Sequence, residues 1–476
     1  VTIEDESRLK EYAHEKGLLV MGPDCGTSIL GGVPLAFANM VRKGSIGIVG
    51  ATGTGIQEIS VTIDRLGGGI SQAIGVGGRD LWEEIGGISM KDAIAALDED
   101  EETETIVVVS KPPAARVKTE MEHFLSGIHK PAVVLFIGED KRTKCGNVHY
   151  VSTMRQAAET AVKLSGIEPQ CAAADAAPEI TFSSHAKLFG LFSGGTLAYE
   201  AAHLIAGSMG IENKETKPAG CILEDERCMI LDLGDDVFTK GKPHPMMDAS
   251  ARKEKMLELI GPVKEPVVLL MDVVLGYGAA QNPAGELAEG IRELKKTRAD
   301  SRLEVIINLV GTGYDPQSLE HQKKILTEAG AYVYYGNDRA VATALKLCGY
   351  CPLLEEDEVE RPQEKAAAHA PAGEKIMNLL RKPPKVINIG LKGFAKDLKT
   401  TRAEVIHFEW KPVAGGDATL KKVLEFLEQY RFKEGPYATI AEANQAVLDK
   451  ITAGQPFLQD VVPAYTVTDV FAEGKV

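Results

Sequence analysis

Residues 192–200 read FSGGTLAYE, two glycines set among hydroxyls, after the apolar run 186–191 and before a helical pattern. A turn with so little side chain lets a partner approach the backbone. The helix N-terminus that follows offers free N–H groups and roughly half a positive charge, which suits an anion. A plain tight turn explains the same glycines. The same order occurs earlier, in IGIVGATGTGIQEISVTIDRLG at 46–67: strand, glycine/threonine turn, and a helix with an acid in its first turn, Glu58 against Glu200. Each copy runs on to a second strand ending in glycine and acid, AIGVGGRDL (73–81) and MILDLGDDVF (229–238). Each then reaches a third apolar strand, ETIVVVS (104–110) and PVVLLMDVVLG (266–276). The unit is duplicated. Two such domains packed face to face would aim both helix N-termini at one point and together offset about one negative charge.

Beyond these copies, short β-branched runs at 45–50, 105–109, 132–137, 267–272, 304–310 and 331–335 alternate with amphipathic segments. That alternation predicts an α/β fold of parallel sheets covered by helices on both faces, with ligands beyond the carboxyl ends of the strands. The expected organisation is two related domains, 39–167 and 181–352, joined by an alanine- and proline-bearing linker at 168–180. A second break at 353–375, acidic and then alanine/proline-rich, is expected to be exposed or disordered. A small α/β unit, 376–476, follows. Its helix carries Leu420, Val423, Leu424 and Leu427 along one face, with Asp417 as N-cap, and its size suits docking better than catalysis.

The chain has 476 residues, a size that favours several domains. Its formal net charge of −15 argues against nucleic acid or an anionic membrane as the main partner. No stretch approaches the roughly 20 apolar residues of a membrane span, and the acidic opening VTIEDE is unlike a signal peptide, so a cytoplasmic location is expected. Seven cysteines without dense spacing make no disulfide framework. Cys348 and Cys351 have redox spacing but fall at a helix C-terminus, where the dipole raises a thiol pKa, so idle thiols are expected. No His/Cys cluster has zinc-ligand spacing, and no metal is expected.

MGPDCGTSI (21–29), GSIGIVGATGTGIQEI (44–59), IGVGGRDL (74–81) and KPAVVLFIG (130–138) occur in the order found in the α-type half of succinyl-CoA synthetases and other NDP-forming acyl-CoA synthetases. LFSGGTLAYEA (191–201) with LDLGDD (231–236) resembles their β-type half. The fused order, KGKPHPMMD (240–248) and the tail VINIGLKGFAKDL (386–398) most resemble the FdrA proteins of that superfamily. The resemblance implies two succinyl-CoA-synthetase-like, flavodoxin-like domains, and residues 1–38 read as the remnant of a CoA-binding Rossmann domain. CoA is then expected as a cofactor only if the rest of that domain is present.

The superfamily's chemistry uses a phosphorylated histidine between the two helix N-termini, held by a glutamate of the α-type half. By resemblance, Asn147 occupies the histidine position and Ser110-Lys111 the glutamate's. An amide cannot carry phosphate as a phosphoramidate, so the resemblance implies a retained anion site without the covalent relay.

That site would comprise Thr52, Gly53, Thr54, Gly55, Ser193, Gly194, Gly195, Thr196 and Asn147. Lys111 is either part of it or a solvated lysine. His149 is either a replacement carrier or a histidine bonded to backbone. His244, between prolines, and Asp248 are candidates for base and carboxylate, with Asp235 and Asp236 nearby. Arg79 and Asp80 are placed where the family meets the acyl group, and arginine suits a carboxylate. Asp272 and Asn308 are either polar ligands or strand-end caps.

The expected partners are a small anion (acyl phosphate, carbamoyl phosphate or a carboxylate) and further subunits, either copies of this chain or others. Two enzymatic readings stay open, with a non-catalytic scaffold as a third. One is an acyl-CoA synthetase. The other, implied by the FdrA resemblance, is a transferase passing the carbamoyl group of carbamoyl phosphate to a small acid such as oxamate, in purine or allantoin breakdown.

Overall fold

The computed structural model describes residues 1–139, 142–170, 186–212, 217–298, 301–353, 358–362 and 366–454. It divides into two compact units, residues 1–407 and 408–476.

In the larger unit the first copy builds strand β1 (Lys43–Ala51), helix α1 (Gly53–Arg65), and strands β2 (Ile70–Gly75), β3 (Thr105–Ser110), β4 (Ala132–Phe136) and β5 (Val148–Tyr150). These run parallel in the order β2-β1-β3-β4-β5. The second copy builds β6 (Lys187–Phe192), helix α2 (Gly195–Met209), β7 (Cys228–Asp232), β8 (Val267–Val274), β9 (Leu303–Val310) and β10 (Ala331–Tyr334). Their order is β7-β6-β8-β9-β10, again parallel. Both sheets thus have the flavodoxin-like order 2-1-3-4-5, whose ligands sit where the order reverses, between the first and third strands. Among the described residues, two hairpins and the parallel edge strand Val359–Arg361 extend the first sheet to nine strands, and one hairpin extends the second to six.

The strands are buried on both faces, as their β-branched sequences require. β3, β4 and β8 have no exposed residue. One apolar core spans the seam between the copies: Ile56, Ile59 and Ile63 of α1 share a cluster with Leu197, Ala201 and Ile205 of α2. Polar groups knit the same seam. Glu58 and Glu200 are each the sixth residue of their helix, in the second turn and not the first, because the helices begin at Gly53 and Gly195. Asn337 joins them: its backbone N donates to Glu58 (3.2 Å) and its Nδ2 to Glu200 (2.8 Å). Burial, then the neighbouring Asp338, pushes the Glu200 carboxyl up to about 8.

The linker at 168–180 lies mostly outside the described residues. The break at 353–375, expected to be exposed or disordered, is exposed at Val359–Arg361 but ordered there, and half-buried at Ala366 and His369. Val359–Arg361 pairs with Thr143–Cys145 as a sheet strand, and Ala366 N donates to Ser126 Oγ. Ile376, Met377 and Leu380 are buried in the first domain's core, so the tail separates after residue 407 and not at 376. Helix Glu374–Arg381, expected to open the small unit, instead buries its apolar face in the first domain.

Within the smaller unit Asp417 caps helix Ala418–Gln429, accepting from Thr419 N and Leu420 N. Leu420, Val423, Leu424 and Leu427 of that helix are exposed. Of the two thiols with redox spacing, Cys348 ends helix Asn337–Leu347 and is buried, which pushes its thiol up to about 12, while Cys351 is exposed. No helix among the described residues is long and apolar enough to cross a membrane.

Candidate functional site

The turn after β1 and the turn after β6 open onto one cavity of about 170 Å³. Thr52, Gly53 and Thr54 line it from the first copy, and Ser193, Gly194, Gly195 and Thr196 from the second. Their contacts are reciprocal, as across an isologous interface. The Thr52 and Thr196 hydroxyls hydrogen-bond each other, while Thr54 packs on Gly194, where an added Cβ would lie 2.8 Å from its Oγ1. Glycine is required at that approach. Thr52 also caps α1, accepting from Gly55 N (3.1 Å), which takes up that amide. The two helix N-termini therefore face a shared space, each contributing roughly half a positive charge.

Lys111, the residue after β3, lines the same cavity. Its Nζ stands 4.6 Å from the centroid of Tyr199, and 3.0 Å from where a Cβ on Gly195 would be. An ammonium thus sits beside the amino end of α2, where the family resemblance placed a carboxylate. His244 enters from the loop before helix Ser250–Ile260. Its Nδ1 accepts from Met246 N (3.2 Å), so in the neutral ring the proton is on Nε2. Burial lowers its pKa and favours that neutral form.

Sequence reasoning missed two carboxylates in this cavity, Asp24 and Asp232. Asp24 is in the GPDCG loop and Asp232 ends β7, and the strand-ending acids of each copy were the only sequence signal for such residues. Burial raises both pKa values against the opposing pull of Lys111, and Asp232 reaches about 6.

For a carboxyl raised in the folded state, the unfolded chain ionises first as pH rises. Stability is therefore lost between 3.8 and about 6. Asp232→Asn should remove this loss. Urea titrations should find the variant more stable than the parent by up to about 3 kcal/mol above pH 6, and equal to it near pH 4. A variant less stable at pH 7.5 would contradict the assignment.

Several expected site residues lie elsewhere. Asn147 sits in the turn between Thr143–Cys145 and β5, where its Nδ2 donates to Lys130 O (2.8 Å). Its neighbour Val148 pairs with Ala132, the first residue of β4. That is the amino end of the sheet, about 13 Å, one strand length, from the carboxyl ends where the cavity lies. The chain doubles back through a hairpin after β4, which carries Asn147 away. His149 goes with it and pairs with Glu358 (2.9 Å).

Asp80 is fully buried and bonds Lys10 Nζ (2.6 Å) and Met90 N (2.9 Å), while Arg79 pairs with Glu6 (2.8 Å). Both hold helix Ile3–Glu15 in place, and neither lines the cavity. Asp248 accepts from Ser250 N (2.9 Å) at the start of its helix, which lowers its pKa, and it too is outside the cavity lining. Asp235 caps the short helix Asp236–Thr239. Asn308 bonds Glu58 in the seam. Asp272 secures the second turn from behind, accepting from Ser193 N (2.7 Å) and Gly194 N (2.8 Å).

Two family models match the chain, the CoA binding domain over residues 41–138 and CoA-ligase over residues 191–347. The uncharacterized protein YahF of Escherichia coli (strain K12) is 42% identical over 350 residues, covering 69% of this chain and 67% of YahF. The malate–CoA ligase subunit alpha of Methylorubrum extorquens is 32% identical over 109 residues, covering 22% of this chain and 34% of the subunit. The chain thus spans about two thirds of the first relative and about one third of the second. Among solved structures, a dinucleotide-forming acetyl-CoA synthetase of Ca. Korarchaeum cryptofilum, in complex with phosphate and ADP, covers 73% of each chain. Its identity is 17% and its TM-score 0.23.

Proposed function

Since the chain belongs to the acyl-CoA synthetase/succinyl-CoA synthetase superfamily, we propose that it is an enzyme of group transfer that binds an acyl or carbamoyl phosphate between the two helix N-termini and works without a phosphohistidine. One observation carries the reading: Lys111 and both turns line one cavity, while Asn147 and His149 stand at the other end of the sheet. The anion's negative charge would meet the amides near Thr54 and Gly195 and the Lys111 ammonium. His244 Nε2–H would add a donor.

In the preferred form carbamoyl phosphate is the donor and a small acid such as oxamate the acceptor. The acceptor nitrogen attacks the carbamoyl carbon, the carbon–oxygen bond to phosphate breaks, and inorganic phosphate leaves as the helix dipoles stabilise its charge. The nitrogen's proton passes to Asp232, whose pKa of about 6 suits a base near neutrality. The PHPMMD loop supplies His244, and the tail unit would dock partner subunits. An acyl-CoA synthetase is the second reading, supported by the CoA binding and CoA-ligase matches.

The test is to incubate the protein with labelled ATP, acyl phosphate and carbamoyl phosphate in turn. Expected are thermal stabilisation by phosphate and carbamoyl phosphate, no acid-labile phosphoenzyme, and oxamate-dependent phosphate release. Lys111→Ala should weaken phosphate binding at least about tenfold, the usual scale of a lost charge-assisted contact. An acid-labile label on a histidine, with CoA-dependent acyl-CoA formation, would replace this reading with the ligase.

A further inference from the structure

On the far side of the first domain, three segments bring nitrogen and oxygen donors to one point. Asp98 belongs to helix Ile88–Glu99, His129 to the turn before β4, and His369 to the stretch 366–373. Asp98 Oδ2 lies 2.8 Å from His129 Nδ1 and 3.0 Å from His369 Nε2. One ligand atom from each residue falls within 4.8 Å of the others. The Asp98 side chain is fully buried and that of His369 is 7% exposed, while His129 is 74% exposed.

The protons present a problem that a cation solves. His369 Nδ1 faces the carbonyl oxygen of Ala370 at 2.9 Å, and Nε2 faces a carboxylate oxygen. A neutral imidazole has one N–H for these two acceptors, so one contact sets lone pair against lone pair unless the ring is protonated or Nε2 binds a metal ion. A histidine that donates one ring N–H to a backbone carbonyl while its other nitrogen takes a metal is the usual arrangement of a metal ligand. Asp98 is oriented for the same role, since His129 N and Lys130 N both donate to it. Lys130 Nζ is turned away, donating to Leu97 O and Asp100 O. Tetrahedral zinc with bonds of about 2.0–2.1 Å needs ligand atoms about 3.3 Å apart; the two separations from Asp98 Oδ2, 2.8 and 3.0 Å, come within a few tenths of an ångström of that, and the two histidine nitrogens lie within 4.8 Å of each other.

We propose that Asp98, His129 and His369 form a site for a zinc-class divalent cation, with a fourth position open to solvent beside His129. The ion would clip the segment 366–373 to the first domain. Binding leaves both rings neutral: His369 gives up any proton on Nε2 to solvent and keeps Nδ1–H on Ala370 O, and His129 carries its one proton on the solvent-facing Nε2. Asp98 supplies the negative charge.

The experiment uses the full chain, stripped with chelator and titrated with Co²⁺ and then Zn²⁺. One equivalent of Co²⁺ should give the visible absorption of low-symmetry, near-tetrahedral coordination, bleached by Zn²⁺. Zinc should raise the melting temperature. His369→Ala and His129→Ala, each checked for unchanged metal-free melting, should each weaken zinc binding by at least about tenfold and abolish the stabilisation. Should His369→Ala melt early without metal, His369→Gln and the exposed His129→Ala carry the test. No stoichiometric binding by the parent, or binding that both substitutions leave unchanged, would overturn the proposal.

Discussion

Lys10→Ala should destabilise the protein by about 3–5 kcal/mol, the range found when one partner of a buried ion pair is removed. Lys10 is 1% exposed; its ammonium hydrogen-bonds Asp80 (2.6 Å) and Val76 O (2.9 Å) and forms an ion pair with Glu6 (3.0 Å). Asp80 and Glu6 are both fully buried. Arg79 still reaches Glu6 in the variant, but Asp80 keeps only backbone donors. Burial already raises the Asp80 pKa with Lys10 in place, and without Lys10 the carboxyl must take up a proton or stay charged with no cation beside it. Lys10→Met, which keeps the stem, should be nearly as harmful, since what is lost is charge and not volume. Because the unfolded chain ionises near its ordinary carboxylate pKa, the deficit should grow as pH rises above about 4 and narrow below it. Urea unfolding at pH 4 and 7.5 measures this. Equal losses at both would assign the effect to packing and refute the account.

Asp272→Ala should cost a comparable amount and damage the candidate site as well. Asp272 is fully buried, pairs with Arg252 Nη2 (3.0 Å), and accepts from Ser193 N, Ser193 Oγ and Gly194 N. Removing it leaves two amides of the glycine turn without acceptors and strands Arg252, which is 2% exposed and whose own pKa burial lowers. About 3–5 kcal/mol is expected from the orphaned cation. Adding Arg252→Met should recover part of that loss, because no unpaired charge then remains. Phosphate binding should not return in the double variant, since the turn still lacks its acceptor. Full recovery of binding would show that Asp272 does not organise the site.

The duplicated strand–turn–helix pattern made the architecture readable. Its strands are apolar on both faces, and only parallel sheets covered by helices bury such strands. The glycine turns were likewise legible, because Gly194 and Gly195 leave room for a close approach that a Cβ would block. Lys111 was readable from its place after β3. The strand-end acid Asp232 and the GPDCG loop's Asp24 were not read as members of the site, since their role depends on the second copy closing over the first.

Errors arose where the order of residues along the chain was taken for position in space. Asn147 and His149 follow β4 closely in sequence, but a hairpin returns them to the opposite end of the sheet. Arg79 and Asp80 stand beside a cavity-lining glycine, yet buried carboxyl and ammonium groups must pair, and helix Ile3–Glu15 supplied Lys10 and Glu6. The Asp98, His129 and His369 cluster has no spacing signature, because its third residue is 240 positions from the second.

By itself, then, the order of residues determined the α/β class, the duplication and the two glycine turns, all of which follow from local periodicity and backbone sterics. Only the tertiary structure decided which charges share a cavity and which neutralise one another. Coulomb and desolvation energies depend on distance and burial, and neither is set by separation along the chain.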